Sequence, residues 1–187
     1  MSLSPVKLEI LDELLLNDRL VKPIQVSKEI GKEFPSVMMH ILGLTRMGYV
    51  TSPEKGHYTI TQKGKNFFGL PEITRDLART LLVGKLHDKA FHFYKDVGEP
   101  LNINAYNLQT FNKELKRIQV NSVDFHMKRG DFEVWFEGIG DPELAKKLAL
   151  LKKKNFDGEV LRRSLQIMIV NRCIALAKIA GYTVVTK

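Results

Sequence analysis

A single cysteine, Cys173, stands among 187 residues. One thiol excludes an internal disulfide and a cysteine-rich zinc site. Its place in an apolar run predicts a buried, reduced side chain, as in a cytoplasm. Long apolar runs are missing too. The longest candidate, Leu165 to Ala180, is interrupted by Asn171, Arg172 and Lys178, short of the ~18 uncharged residues that a membrane span needs. The N-terminus lacks the basic-then-apolar pattern of a secretory signal. No glycine-rich phosphate loop is present, since Gly138-x-Gly140 reads as a turn between helices. The five histidines follow no zinc spacing. A soluble protein of the cytoplasm is expected, with no membrane contact, no metal, no cofactor and no catalytic residue.

The composition supports a packed core. The chain is 44% hydrophobic and 27% charged, which argues against global disorder. Net charge is +8, a balance that favours a polyanionic partner. Its placement qualifies that inference. Up to Leu70 there are nine Lys and Arg against seven Asp and Glu, a net of about +2, so most of the excess lies beyond Leu70.

The first seventy residues are the most informative. Ser4-Pro5 is a helix start, followed by Val6, Leu8, Ile10, Leu11, Leu14 and Leu15 at helical spacing. Pro23 opens a second helix that Gly31 stops. After a short turn, Pro35-Ser36 begins a third, in which Val37, Ile41 and Leu44 share one face. Two helices joined by such a turn form a helix-turn-helix. The opposite face of the third helix carries Ser36, Met39, His40, Gly43 and Arg46, the face with which a recognition helix reads a major groove. Gly48 ends that helix. Tyr49-Val50-Thr51 reads as a strand, Ser52 to Gly56 as a turn, His57-Tyr58-Thr59-Ile60 as a returning strand, and Thr61 as the cap of a further helix.

Gly48-Tyr49-Val50 and Tyr58-Thr59-Ile60-Thr61-Gln62-Lys63-Gly64-Lys65 resemble the wing of winged helix-turn-helix regulators of bacteria and archaea, the MarR-like group. The resemblance covers about residues 5–70. It implies binding of double-stranded DNA, with Ser36, Met39, His40 and Arg46 toward the major groove and Lys55 and His57 at the wing tip, toward the minor groove or backbone. One departure stands out. Such regulators carry Arg, Lys, Ser, Thr or Asn on the exposed face of the third helix, whereas this chain has Met38, Met39 and Leu42 there. Methionine is also common on adaptable protein-binding surfaces, so docking of a protein on the same face is the rival reading.

The rest of the chain is read more coarsely. Leu70-Pro71 closes the first part. Glu72 to His87 is a helical candidate, either a dimerisation element or a helix packed on its own chain. Ala90 to Tyr94 alternates like a strand, and Gly98-Glu99-Pro100 reads as a turn. Asn107 caps a helix over 108–118, Ser122 caps another, and Arg129-Gly130-Asp131 breaks it. Asp141-Pro142-Glu143 is a strong helix start. Asp157-Gly158-Glu159 opens a last helix, 160–180, apolar nearly all round between Leu165 and Ala180, which predicts burial on several sides, either as the central helix of the second domain or as part of a dimer interface. Tyr182 to Val185 reads as a closing strand. About residues 90–165 also resemble an uncharacterised domain family of archaeal and bacterial proteins. The matching residues are Phe93-Tyr94, Ala105-x-x-Leu108-x-x-Phe111, Phe125-His126-x-x-Arg129-Gly130-Asp131-Phe132-x-x-Trp135 and Gly140-Asp141-x-x-Leu144-Ala145. Leu101-Asn102 stand where that family carries a Thr-Gly pair. The resemblance implies no activity.

One candidate for chemistry emerges there, His126 as acid-base or ligand with Asp131 orienting it. The structural alternative makes Asp131 a helix cap and His126 a satisfied histidine. Lys146, Lys147, Lys152, Lys153, Lys154, Arg162 and Arg163 form the main basic concentration, a candidate phosphate-backbone contact or a solvated helix face. The expected fold class is mainly α (α+β). It comprises a winged helix-turn-helix with a β-hairpin wing over residues 1–70, a connector helix over 71–89, and a helical α+β domain over 90–187 for dimerisation or small-molecule sensing. The expected function is an archaeal-type transcriptional regulator acting as a homodimer on double-stranded DNA. The alternatives are a protein-interaction adaptor and an enzyme centred on His126.

Overall fold

The computed structural model describes residues 3–17 and 19–182. The architecture is mainly helical, with two small antiparallel sheets of two strands each among the described residues. The chain divides into two compact units, Met1–Glu72 and Ile73–Lys187.

In the first unit, α1 (Pro5–Leu16) starts on a proline, whose missing N–H is no loss in a first turn. It ends where the Asn17 side chain donates to the Glu13 carbonyl at 2.9 Å. Just before α2 (Pro23–Ile30), Val21 exchanges two backbone hydrogen bonds of 2.9 Å with Tyr58. Gly31, at φ 63°, ends α2. Next comes α3 (Phe34–Arg46), one residue earlier than its proline suggests. Strands β1 (Val50–Glu54) and β2 (His57–Ile60) then form a hairpin, with Val50 opposite Ile60 and Thr51 opposite Thr59. Ile10, Leu11 and Leu14 of α1, Val26 of α2, Val37, Ile41 and Leu44 of α3, and Val50 and Tyr58 of the hairpin make one buried core.

The start of α4 (Gln62–Phe67) is held to the end of α3 by one side chain. The Thr61 hydroxyl donates to the Gly48 carbonyl at 2.7 Å and accepts the Gly64 N–H at 3.1 Å. Gly64 is required by proximity. A Cβ there would run into the Tyr49 carbonyl and come within 2.7 Å of Ile60.

The second unit opens with α5 (Arg75–Val83), capped by Thr74. It is shorter than expected. Gly84 leaves the helix in extended conformation, and a 3-10 turn, His87–Lys89, follows. The helix packs against its own unit. Arg75 and Arg79 donate to the Ala180 carbonyl at the end of the last helix, at 3.2 and 3.4 Å, a placement the helix dipole favours.

Strands β3 (Phe91–Asp96) and β4 (Glu99–Ala105) pair antiparallel. Here the reading of Gly98-Glu99-Pro100 as a turn is corrected, since Glu99 and Pro100 open β4. Two register shifts break its alternation, so no strand pattern is visible in sequence. Asn102 has φ 54°, a left-handed conformation that asparagine tolerates.

The helices α6 (Leu108–Leu115), α7 (Val120–Arg129), α8 (Asp131–Gly138), α9 (Pro142–Lys152) and α10 (Gly158–Ala180) complete the unit. Asn107 caps α6, accepting the Thr110 N–H at 2.8 Å. Ser122 is not a cap: Gln119 precedes α7, and the Ser122 hydroxyl donates instead to the Tyr94 carbonyl at 2.6 Å, tying α7 to β3. Phe91, Phe93, Phe111, Phe132, Trp135 and Phe136 form an aromatic core, with edge-on contacts at centroid distances such as 4.8 Å for Phe91 and Phe93 and 5.1 Å for Phe111 and Phe136. The Trp135 N–H donates to the Lys89 carbonyl at 2.6 Å. Of the closing strand expected at Tyr182 to Val185, residues 183–185 lie outside the described residues, and the Tyr182 N–H instead donates to the Ala177 carbonyl of α10 at 2.9 Å.

Within its own unit α10 is buried on one side, which corrects the expectation of a central helix. Its apolar residues face two ways. Leu161, Leu165, Ile169 and Leu176 are buried, whereas Val160 and Ile167 are 58% and 63% exposed. The buried face also takes in a charge. Arg172 donates to Asp141 from Nε at 2.8 Å and from Nη2 at 2.6 Å, and pairs with Glu143 at 2.9 Å. Lys147 pairs with Glu143 at 3.2 Å. Two acids and two bases are thus buried together, with the lone pairs of Asp141 also capping α9 through the Leu144 N–H at 3.1 Å.

Candidate nucleic-acid interface

The three buried positions of α3, Val37, Ile41 and Leu44, fix which side of the helix faces out. Met39 and Arg46, seven residues apart, project from one exposed line with Leu42 between them. Met39 is 62% exposed and Leu42 41%. Ser36 and His40 are half-buried on the flank of this face. At the helix start, Phe34 is also exposed. The face is therefore apolar in its middle and charged at its C-terminal end.

Two cations join Arg46 there, neither of which the linear sequence points to. The Lys7 ammonium, from α1, lies 4.0 Å from the Met47 sulfur. The Lys63 ammonium, from α4, donates to the Met47 carbonyl at 2.8 Å and lies over the Tyr49 ring at 5.3 Å from its centroid. Lys63 thus meets the negative end of the helix dipole.

The hairpin divides its two candidates. Lys55 is exposed at the turn. His57 starts β2 and lines a cavity of about 420 Å³ with Glu13, Asn17, Arg19, Lys22, Gln25 and Glu29, away from the turn. Its Nδ1 is 3.3 Å from the Lys55 carbonyl.

In the second unit, His126 is 3% exposed and both ring nitrogens are engaged. Nε2 accepts the Tyr94 backbone N–H at 2.8 Å, and Nδ1 stands 2.7 Å from an Asp131 carboxylate oxygen. Asp131 also accepts from Arg129 at 3.2 Å, so it does not cap α8. Burial, the largest influence, holds His126 below its ordinary value, outweighing the hydrogen bond and charge of Asp131. A neutral ring that accepts at one nitrogen and donates at the other has no site left for proton transfer to a substrate. A cavity of about 290 Å³ adjoins it, lined by Tyr94, Asp96, Phe125, Arg129 and Asp131 among others.

At least three of the seven residues of the basic concentration are engaged within the structure. Lys147 is buried on Glu143, and Lys152 is 3.9 Å from Glu133. Arg162 donates to the carbonyls of Lys116 and Ile118 at the end of α6. Burial pushes the Cys173 thiol up to about 11, which leaves it protonated and unreactive. Among the described residues, no group of three or more His, Cys, Asp or Glu is placed to hold a metal ion, and no helix is long and apolar enough to cross a membrane. Comparison with protein-family models, with curated proteins and with solved structures finds no match.

Proposed function

We propose that the first unit is a winged helix-turn-helix and that the protein binds double-stranded DNA as a homodimeric transcriptional regulator. The observation that carries this reading is the exposed face of α3, bounded at its C-terminal end by Lys7, Arg46 and Lys63 and followed directly by the β1–β2 hairpin with Lys55 at its turn. The order of three helices, hairpin and helix supports it, as does the Val21–Tyr58 bridge, which gives the hairpin a third strand-like rung. On this reading α3 enters the major groove. Met39 and Leu42 meet thymine methyl groups, and the three cations meet phosphates beside the groove. Lys55 reaches the backbone at the wing, and Ser36 and His40 offer polar contacts to base edges. So few cations make a single unit a weak binder, which favours two copies on paired half-sites.

The exposure of Met39, Leu42 and Phe34 supports a second reading, a face that docks another protein. Salt dependence separates the two. Binding to duplex DNA of mixed sequence, followed by fluorescence anisotropy, is expected to weaken steeply as salt rises, by about 0.9 log units per log unit of salt for each phosphate neutralised. No affinity for duplex DNA at low salt overturns the DNA reading in favour of docking.

A further inference from the structure

α10 is apolar on two opposite sides. Leu161, Leu165, Ile169 and Leu176 are buried in the second unit. The other side carries Val160 and Ile167, which are more than half exposed, and Val170, which is 38% exposed. Val160, Ile167 and Ile174 recur at intervals of seven, as do Arg163, Val170 and Ala177 three positions on. That is the a and d spacing of a two-helix seam, with a β-branched residue at every a position.

We propose that this seam docks a second copy of the chain, by antiparallel pairing of α10 with its symmetry mate. The seam is its own complement about a point midway between Ile167 and Val170. In an antiparallel pair Ile167 faces the partner's Val170, Val160 faces the partner's Ala177, and Ile174 faces the partner's Arg163. Each layer then occurs twice about a two-fold axis, as an isologous dimer requires. Parallel pairing would set Arg163 against its own copy in one layer. Antiparallel pairing moves the two guanidinium groups apart by the span from Arg163 to Ile174, about 16 Å at 1.5 Å per residue, beyond the ~8 Å screening length of physiological salt. It also opposes the two helix dipoles. The helix is about 34 Å long, and one helix face gives an interface at the low end of the specific range. The dimer is accordingly expected to dissociate at micromolar concentration.

This surface supplies the dimer of the proposed function, and it belongs to the second unit alone. The test is light scattering of the full chain across about 1 to 100 μM, with and without Ile167→Glu. Ile167 is exposed, so the variant should keep the parent's circular dichroism and melting temperature while dimerising at least about tenfold more weakly. The register is read by mixing an Ile167→Cys chain with a Val170→Cys chain, both carrying Cys173→Ser, and oxidising them. Disulfides between the two kinds of chain should exceed those within either kind. A native chain that stays monomeric throughout, or a dimer indifferent to Ile167→Glu, overturns the proposal. A predominance of Ile167→Cys chains joined to each other overturns the antiparallel register. DNA binding by a monomeric native chain would count against the seam alone, and a native dimer without DNA affinity against the DNA reading alone.

Discussion

The backbone N–H of Tyr94 donates to Nε2 of His126 at 2.8 Å. The proton of the neutral ring must then be on Nδ1, directed at Asp131. A second ring proton would set N–H against N–H and loosen β3 from α7. The folded chain takes up that proton less readily than the unfolded chain, chiefly because the ring is buried. Between the folded value and the unfolded value near 6.5, the unfolded state binds more protons. Stability from this group is therefore complete above about pH 6.5 and is lost as pH falls through the folded value. Thermal denaturation at about pH 7.5 and about pH 5.5 should give a lower melting temperature at the acid end. His126→Gln should flatten that dependence while lowering stability at both. An identical pH dependence in the variant would contradict the assignment.

Asp141 and Arg172 carry a second prediction. Burial pulls the Arg172 guanidinium down, yet Asp141 and Glu143 outweigh it and hold it above its ordinary value. Removing one member of such a buried set leaves its partners' charges without water or full compensation, at a cost of about 3–5 kcal/mol. Arg172→Met and Asp141→Asn should each destabilise the second unit by that order, read as a lower urea midpoint. Arg172→Lys should not recover the loss, because an ammonium cannot fork across both carboxylates. A midpoint unchanged in Arg172→Met would mean that the pairing contributes no stability.

These two arrangements mark the limit of what the sequence made legible. Local chemistry was readable. Gly48, Thr61, Asn107 and Asp141-Pro142-Glu143 each act on neighbours a few residues away, and the structure uses them as the local rules predict. Partnerships across the chain were not. Ser122 had the chemistry of a cap, but its partner is Tyr94, on a strand before it. Arg172 read as an interruption of an apolar helix, and its partners lie at the start of α9. β4 was hidden because its register shifts remove the alternation by which a strand is recognised. At α3 the exposed face was legible from the buried triplet Val37, Ile41 and Leu44, whereas Lys7 reaches it from a different helix.

Gly64 gives a third prediction, for the first unit. α4 approaches the hairpin so closely that a methyl group would overlap the Tyr49 carbonyl and crowd Ile60. Both neighbours are held, the Tyr49 carbonyl by the Thr61 N–H at 3.0 Å and Ile60 by pairing with Val50. Neither can yield cheaply, so Gly64→Ala should cost about 1–3 kcal/mol, although alanine is the better helix former. Denaturation followed by a probe in the first unit checks the sign. A stabilised Gly64→Ala would mean that α4 is not packed at this distance in solution.

The last prediction concerns the cations around Met47. If phosphates are met at the C-terminal end of α3, Lys7, Arg46 and Lys63 should contribute together although they come from α1, α3 and α4. Lys7→Ala and Arg46→Ala should each weaken binding to duplex DNA, uniformly across sequences, and each should reduce the slope of log affinity against log salt by about 1. Lys63→Ala should do the same, with some added loss of stability because its ammonium also bonds the Met47 carbonyl at the end of α3. Met39→Ala provides the contrast. Its side chain is apolar and in the middle of the exposed face, so it should alter sequence preference without changing the salt slope. Affinity titrations at several salt concentrations on two unrelated duplexes measure both quantities. A salt slope unchanged in Lys7→Ala and Arg46→Ala would remove this end of α3 from the DNA contact, and a partner lost only with Met39→Ala would assign the face to a protein.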